Sequence, residues 1–305
     1  NLIGTSYGSR VVLDSLRVDP EGVRSGVLNS VQAITPHLTA EFLTDKAAVL
    51  RKLFVNCAND EDCRENFGDL EASLALVREH LAKNGMLLHL RELASGLLKR
   101  IDVTWDDVLG GLLQHLSFSG PADHVARYIH ELSLMAQGRL SLNDDEVARI
   151  FQAKLIDDDF GMAIGMHLAV RCREDLADLD TDEVSATISA NSDLLLESQN
   201  FRVYEACDVW GTEPLEGFSD PVTSDIPTLI LSGDMDPLTP YHWAEKTVET
   251  LENGQMVTFH GMAHDLLGTT ICARVITANF LDTPMSPVDT SCAAMIQPQF
   301  EVRQN

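Results

Sequence analysis

The chain has 305 residues, of which 45% are hydrophobic and 23% charged, a composition typical of a globular protein with one large domain or two smaller ones. Its formal net charge of -25 at pH 7 would repel a nucleic-acid backbone or an anionic membrane surface, so neither is expected as a partner. No stretch has the ~18 uninterrupted apolar residues that a membrane span requires.

The first predicted elements are a strand end and a helix that flank a serine. The segment GTSYG places Ser6 between Gly4 and Gly8, after an apolar strand end at residues 1–4 and before apolar residues at helical spacing in 9–16. A serine on such a turn is strained, and glycines beside it leave room for the backbone while the turn lifts Oγ clear of the sheet. The pattern predicts a nucleophile elbow at Ser6; the alternative is an ordinary Gly-Ser turn.

Three regions follow one another along the chain. Residues 1–35 hold the first part of the core, including an apolar run at 24–31 that predicts a buried parallel strand. Residues 36–220 are almost wholly helical in pattern, with helix starts near Thr104, Pro121 and Asn143. Residues 221–305 return to alternation, with strands at 226–233 and 254–261 and helices at 240–251 and 269–281.

This layout predicts an α/β fold with a mostly parallel, doubly wound sheet and a helical cap inserted after the strand that follows the first helix. Such a cap lies over the carboxyl edge of the sheet, where open α/β folds place their active sites. The visible strands are too few for a stable sheet of this kind. We therefore expect further strands before residue 1, on an N-terminal segment or a separate chain.

The two strands of the last region are each followed by a loop with two candidate catalytic residues. The segment DMDPLTP supplies Asp234 and Asp236, and HGMAHDLL supplies His260 and His264. In this fold the order along the chain is serine, acid, histidine, with the acid bound to the histidine Nδ1 and the histidine Nε2 reaching the serine. The residues predict a triad with Ser6, but they do not decide between Asp234 and Asp236 or between His260 and His264.

The six cysteines form an even set without a C-x-x-C metal pair, which favours disulfides and an oxidising compartment over six reduced thiols. Cys57 and Cys63 flank a short polar loop of a size that a disulfide can close. His115, His124 and His167 lie on helical patterns without ligand spacing, so neither a metal nor another cofactor is predicted.

Several segments together resemble the α/β-hydrolase family of secreted proline iminopeptidases and tripeptidyl aminopeptidases, especially the tripeptidyl-aminopeptidase-like branch. They are GTSYGSRVVLDSLRVDPEGVRSGVLNSV, GDMDPLTPYHWA, GMAHDLLGTTICA and FLDTPMSPVDTSCA, with the cysteine-containing pieces LFVNCANDEDC, MHLAVRCRED and FRVYEACDVWG in the cap. The resemblance reaches most of the chain.

The resemblance implies that Ser6 is the nucleophile, Asp236 the orienting carboxylate and His264 the base, with the backbone N–H of Tyr7 as one oxyanion donor. The second donor is expected from a loop between earlier strands, outside this sequence. Asp265 stands where the family commonly has a glycine, a departure that leaves a carboxylate beside the base.

The resemblance also implies three disulfides, Cys57 with Cys63, Cys172 with Cys207 and Cys272 with Cys292, and hence export to the periplasm or the medium. It implies an aminopeptidase that releases proline or a short peptide through an acyl-enzyme. The same triad serves esterases of small acyl substrates, which is the nearest alternative. A non-catalytic fragment or binding module is a third.

An aminopeptidase must bind a cationic α-amine, for which carboxylates of the cap are suited. Four acids next to the cap cysteines are candidates, Glu174 and Glu205 ahead of Asp175 and Asp208. The alternative is that these acids are solvated, as most acids are in so acidic a chain. Trp210 and Tyr204 could line a side-chain pocket, although aromatic residues at this spacing more often belong to a core.

Overall fold

The computed structural model describes residues 1–35, 38–91, 95–118, 123–139, 150–151, 163–175, 180–194, 206–207, 209–297 and 300. The expected helix starts at Pro121 and Asn143 lie outside these residues. The elements, in chain order, are β1 (Leu2–Ser6), α1 (Tyr7–Val18), β2 (Gly26–Val31), α2 (Leu38–Asn59), α3 (Glu61–Phe67), α4 (Leu70–Asn84), β3 (Met86–Arg91), β4 (Leu98–Val103), α5 (Trp105–Phe118), α6 (Asp123–Ala136), α7 (Ile164–Glu174), α8 (Thr181–Ala190), β5 (Thr228–Gly233), α9 (Tyr241–Glu249), β6 (Gly254–Phe259), α10 (Leu266–Thr269), α11 (Ile271–Asp282) and α12 (Ser291–Ala294).

The main sheet has four parallel strands in the order β1, β2, β5, β6. Strands β2 and β5 are buried along their whole length, which fits the apolar stretches Val27–Leu28 and Leu229–Leu231. Helices α1 and α9 cover one face, where Leu13 packs with Leu28 and Ile230. Helix α11 covers the other face, where Phe280 packs with Val27. Helices on both faces of a parallel sheet confirm the predicted α/β class, and the strand-turn-helix at Ser6 is that of the α/β-hydrolase fold.

The segment between β2 and β5 contains α2 to α8 and has a hydrophobic core of its own, built around side chains such as Leu50, Leu109 and Ile129. Among the described residues of this segment, the prediction of an almost wholly helical pattern was wrong for β3 and β4. Strands β3 and β4 form an antiparallel hairpin, with Met86 opposite Val103. Short apolar runs such as MLLHLR fit a helix and a strand about equally, and the partner strand decides between them.

The six cysteines form three disulfides, with the pairings that the resemblance implied. Cys57–Cys63 joins α2 to α3, and Cys272–Cys292 joins α11 to α12. Cys172–Cys207 fastens α7 to a segment 35 residues further along the chain. Among the described residues, no helix has the length and apolar character needed to cross a bilayer.

Glu41 on α2 ties the cap to helix α9 of the core. Its carboxylate accepts hydrogen bonds from Trp243 Nε1 at 2.8 Å and from Lys246 Nζ at 2.7 Å, and His242 Nε2 lies 3.6 Å away. Burial raises the pKa of Glu41, but the hydrogen bonds from His242, Lys246 and Trp243 outweigh it and bring the pKa down from 4.5 to about 2. The charged form of Glu41 therefore stabilises the folded state.

Replacing Glu41 by glutamine should lower the free energy of unfolding at pH 7 by about 1 kcal/mol, a value reduced for solvent screening of this partly exposed pair. A depressed carboxyl pKa contributes stability that is complete above the unfolded pKa of about 4.5 and is lost as the pH falls towards 2. Urea unfolding at pH 7 and pH 3 tests this. A difference between the two proteins that stays equal at both pH values would contradict it.

Candidate active site

Ser6 is the last residue of β1 and stands directly before α1. Its backbone adopts φ 56° and ψ -125°, a strained conformation for a residue with a side chain. Gly4 is required there, because an added Cβ would lie 2.1 Å from the carbonyl oxygen of Gly8. A Cβ at Gly8 would meet no described atom within 4 Å, so this geometry requires only one of the two glycines that the elbow pattern specifies.

Ser9 holds the turn at Ser6 in place, and Tyr7 begins the helix that follows it. Ser9 Oγ donates to the carbonyl oxygen of Ser6 at 2.5 Å and accepts from the backbone N–H of Gln32 at 2.9 Å, so it fixes the turn against the chain after β2. Tyr7 is the first residue of α1, where backbone N–H groups have no partner within the helix. A backbone donor at this position is what the predicted oxyanion role of Tyr7 requires.

The acid loop after β5 is organised around Asp236. This carboxylate is 1% exposed. Its Oδ1 accepts from the backbone N–H groups of Leu238 at 2.8 Å and Thr239 at 2.9 Å, and its Oδ2 accepts from Thr239 Oγ1 at 2.6 Å. Four hydrogen bonds, counting the one to His264 at 2.8 Å, offset the cost of burying the charge.

His264 is buried at the carboxyl side of β6, and its Nδ1 lies 2.8 Å from Asp236 Oδ2. This contact leaves Nε2 as the nitrogen that can exchange a proton with a hydroxyl. The backbone N–H of His264 donates to the carbonyl oxygen of Ser117 at 3.2 Å, at the end of cap helix α5. The cap therefore contacts the histidine loop directly.

The other two candidates form a second pair that the structure keeps apart from the first. Asp234 Oδ2 lies 3.0 Å from His260 Nδ1 and 2.9 Å from Lys52 Nζ of α2, and Oδ1 accepts from the N–H of Gly261 at 2.7 Å. Burial raises the pKa of Asp234, but these donors outweigh it and lower the pKa below its ordinary value. The His260 side chain is 58% exposed, in contrast to the buried His264.

Asp265 adopts φ 59°, the left-handed conformation in which a glycine is unstrained. The structure thus gives a reason for the glycine of the resembling family at this position. The carboxylate of Asp265 accepts from the N–H of Gly268 at 3.1 Å, which caps α10, and from Asn29 Nδ2 at 2.8 Å. These contacts compensate the unfavourable backbone conformation.

Glu174 is the last residue of α7, and it contacts the side chain of Tyr7, the residue that follows Ser6. It accepts from the Tyr7 hydroxyl at 2.7 Å and from Arg10 Nη1 at 3.0 Å, and its side chain is 14% exposed. Burial and the neighbouring Glu174 raise the pKa of Tyr7 well above its usual range, so its hydroxyl stays protonated. Asp175 pairs with Arg10 at 2.9 Å and with Arg171 at 2.7 Å. Two carboxylates and two guanidinium groups make this cluster formally neutral.

No described contact connects the other predicted binding residues to the Glu174 cluster. Glu205, Asp208 and Tyr204 lie outside the described residues. Trp210 is 45% exposed and its ring lies against Gly165 at the start of α7, more than two helical turns from Glu174. No group of three or more His, Cys, Asp or Glu side chains among the described residues is arranged to hold a metal ion.

Sequence reasoning missed the residues that hold the two loops in place. Thr239 binds Asp236, and Ser117 and Lys52 bring the cap onto the two loops. Asn29 and Ser30, at the end of β2, bind Asp265. The signal for the last two was present, since the polar pair Asn29 and Ser30 interrupts an otherwise apolar strand. The contacts of Ser117 and Lys52 left no signal in the sequence.

Among the solved structures that the chain resembles are a serine hydrolase and an esterase. One is a serine hydrolase from the polyaromatic hydrocarbon-degrading bacterium Cycloclasticus zankles, with 11% identity, 93% of this chain and 63% of that chain covered and a TM-score of 0.30. The other is an esterase from Exiguobacterium antarcticum, with 14% identity, 94% and 66% covered and a TM-score of 0.31. The chain thus spans under two thirds of the length of each, and at these TM-scores neither likeness carries an argument.

No curated protein matches the sequence. A family model does match: the TAP-like protein family, over residues 195–292. This stretch contains β5, β6 and the two loops with Asp236 and His264. Residues 195–292, which carry the candidate acid and histidine, are therefore similar to the TAP-like protein family.

Proposed function

We propose that the protein is a serine hydrolase that works by acyl transfer, with Ser6 as nucleophile, His264 as general base and Asp236 as the carboxylate that orients the histidine. The observation that carries the proposal is the buried contact of 2.8 Å between Asp236 Oδ2 and His264 Nδ1, at the same edge of the sheet as the strained Ser6. A turn that only stabilised the fold would not require a serine in a strained backbone conformation.

In the proposed reaction, Ser6 Oγ forms a bond to the substrate carbonyl carbon while His264 Nε2 takes the hydroxyl proton. The resulting oxyanion accepts a hydrogen bond from the N–H of Tyr7, assisted by the positive end of α1. The imidazolium returns the proton to the leaving group as its bond to carbon breaks. His264 Nε2 then takes a proton from water as the water oxygen attacks the acyl carbon, and returns that proton to Ser6 Oγ as the acyl–oxygen bond breaks.

The substrate we propose is a peptide with a free amino terminus, from which proline or a short peptide is released. Glu174 supports this proposal because its carboxylate contacts Tyr7, the residue next to the nucleophile. The three disulfides support export to the periplasm or the medium, because such bonds persist in oxidising surroundings. A second candidate is an esterase of small acyl compounds, which the formal neutrality of the Glu174 cluster favours.

A fluorophosphonate probe tests the chemistry, and a panel of aminoacyl amides, tripeptidyl amides and esters then tests the substrate class. Covalent labelling of Ser6, located by peptide mass spectrometry, is the expected result. A folded protein with an unlabelled Ser6 would exclude the enzyme proposal and favour a binding module.

Replacing Glu174 by glutamine separates the two substrate classes. If Glu174 binds the α-amine, kcat/KM for an aminoacyl amide should fall by about 10- to 100-fold, the equivalent of one charge-assisted hydrogen bond. Hydrolysis of a neutral p-nitrophenyl ester should stay within about 3-fold of wild type. The control variant replaces Glu65, an exposed acid of the cap, by glutamine and should change neither rate. Equal losses on both substrates would show that Glu174 only supports Tyr7 and Arg10.

A further inference from the structure

The loop that carries His264 has to cross the sheet before it can serve Ser6. Strand β6 is separated from β1 by β2 and β5, three inter-strand steps or roughly 14 Å. The loop passes the end of β5, where the N–H of Met235 donates to the carbonyl oxygen of Met262 at 3.0 Å. Gly233 permits this crossing, because an added Cβ would lie 2.4 Å from the same oxygen.

The loop ends its crossing at β2, where the side chain of Asn29 binds it. Asn29 is completely buried, and its Nδ2 donates to Asp265 Oδ1 at 2.8 Å and to Thr5 Oγ1 at 3.0 Å. Its Oδ1 accepts from the backbone N–H of Leu267 at 3.3 Å. One amide therefore joins the residue before Ser6 to the residue after His264.

Ser30 adds a second attachment at the same point. Its Oγ accepts from the backbone N–H of Asp265 at 2.9 Å. Ser30 has φ 53° and Asp265 has φ 59°, so both residues hold conformations that cost free energy and need support from neighbours. The end of β2 thus binds the backbone of Asp265 through Ser30 and its carboxylate through Asn29.

We propose that Asn29 is a positioning residue that sets the spacing between nucleophile and base through Thr5 and Asp265. The proposal rests on the proposed function, because it assumes that Ser6 and His264 react together. Asn29 touches neither of them in the described hydrogen bonds. Its effect is therefore expected on the chemical step and not on substrate binding.

The reason for a large effect is geometric. A displacement of about 1 Å between reacting groups costs on the order of 100-fold in rate. Without the amide, Thr5 and Asp265 lose their shared partner and the histidine loop loses one of its two attachments to β2. We expect Asn29→Leu, which keeps a side chain of similar size, to lower kcat by about 10- to 100-fold with KM unchanged within about 2-fold.

Two variants at Asp265 make the test independent of the folding of Asn29→Leu. Asp265→Gly keeps the left-handed backbone but removes the carboxylate, and should lower kcat with KM unchanged. Asp265→Asn keeps an acceptor for the Asn29 amide and tolerates the backbone conformation, so it should retain most of the wild-type kcat. The measurements are kcat and KM on a p-nitrophenyl ester, with melting temperatures as a check of folding.

The outcomes separate the inference from the function on which it rests. If the wild-type protein is labelled by the fluorophosphonate at Ser6 but Asp265→Gly keeps full kcat, only the positioning role is wrong. The same holds if Asp265→Asn loses as much as Asp265→Gly, or if KM rises together with the loss of kcat. If Ser6 of the folded wild-type protein is not labelled, the proposed function and the positioning role fall together.

Discussion

Replacing Ser6 by alanine should lower kcat/KM for the best amide or ester substrate by about 10⁴- to 10⁶-fold and abolish fluorophosphonate labelling. Without Oγ no acyl-enzyme can form, so only the binding and polarisation of the substrate carbonyl remain. Alanine has nearly the same backbone preferences as serine at φ 56°, so the melting temperature should stay within about 2 °C of wild type.

The control for this prediction is Ser15→Ala, in the helix α1 that follows Ser6. Ser15 Oγ donates to the carbonyl oxygen of Val11 at 2.7 Å, within α1, and contacts neither loop. This variant should keep its activity and its labelling. If the Ser6→Ala protein retained a tenth of the wild-type rate on the same substrate, a residue other than Ser6 would be the nucleophile.

The elements of the sheet could be predicted because each is specified locally. Strands β2 and β5 are short apolar runs next to helices with clear starts, and the elbow at Ser6 needs only a few adjacent residues. The cap helix after Thr104 is also local, since Thr104 and Asp107 cap each other reciprocally. The hairpin of β3 and β4 was missed because its pairing joins residues whose own periodicity is ambiguous.

The sequence predicted which two loops hold the candidate acid and histidine, but the residues alone did not decide which aspartate and which histidine of each loop form the pair. Asp234 and Asp236 are two residues apart at the end of one strand, and their types cannot say which faces the histidine. In the folded chain Asp236 is buried against His264, while Asp234 lies between Lys52 and His260. Lys52 comes from a cap helix far away in sequence, so this sorting depends on tertiary packing.

The expectation about residues before the first strand stays a prediction. In the described sheet β1 pairs with β2 and with no other strand, so it lies at an edge of that sheet. The position of a second oxyanion donor likewise stays a prediction, as does the role of Glu205. The rate with which the chain itself hydrolyses esters would measure how far one oxyanion donor, the N–H of Tyr7, suffices.

The second large effect is expected for Asp236→Asn, which should lower kcat/KM by about 10⁴-fold. Asparagine keeps the shape, and its Oδ1 can still accept from the N–H groups of Leu238 and Thr239. Its amide group, however, would present N–H to His264 Nδ1, which favours the tautomer with the proton on Nε2. The histidine could then no longer take the proton of Ser6.

The matched control is Asp234→Asn, two residues away in the same loop. This change weakens contacts to Lys52 and His260 on the exposed side of the loop and should cost less than about 10-fold. The pair His264→Ala and His260→Ala should show the same contrast, with a large loss only for His264. The measurements are kcat/KM on one ester and fluorophosphonate labelling rates for all four variants. If the Asp234 and His260 variants lost more activity than the Asp236 and His264 variants, Asp234 and His260 would be the catalytic pair. The buried contact between Asp236 and His264 would then serve only the stability of the fold.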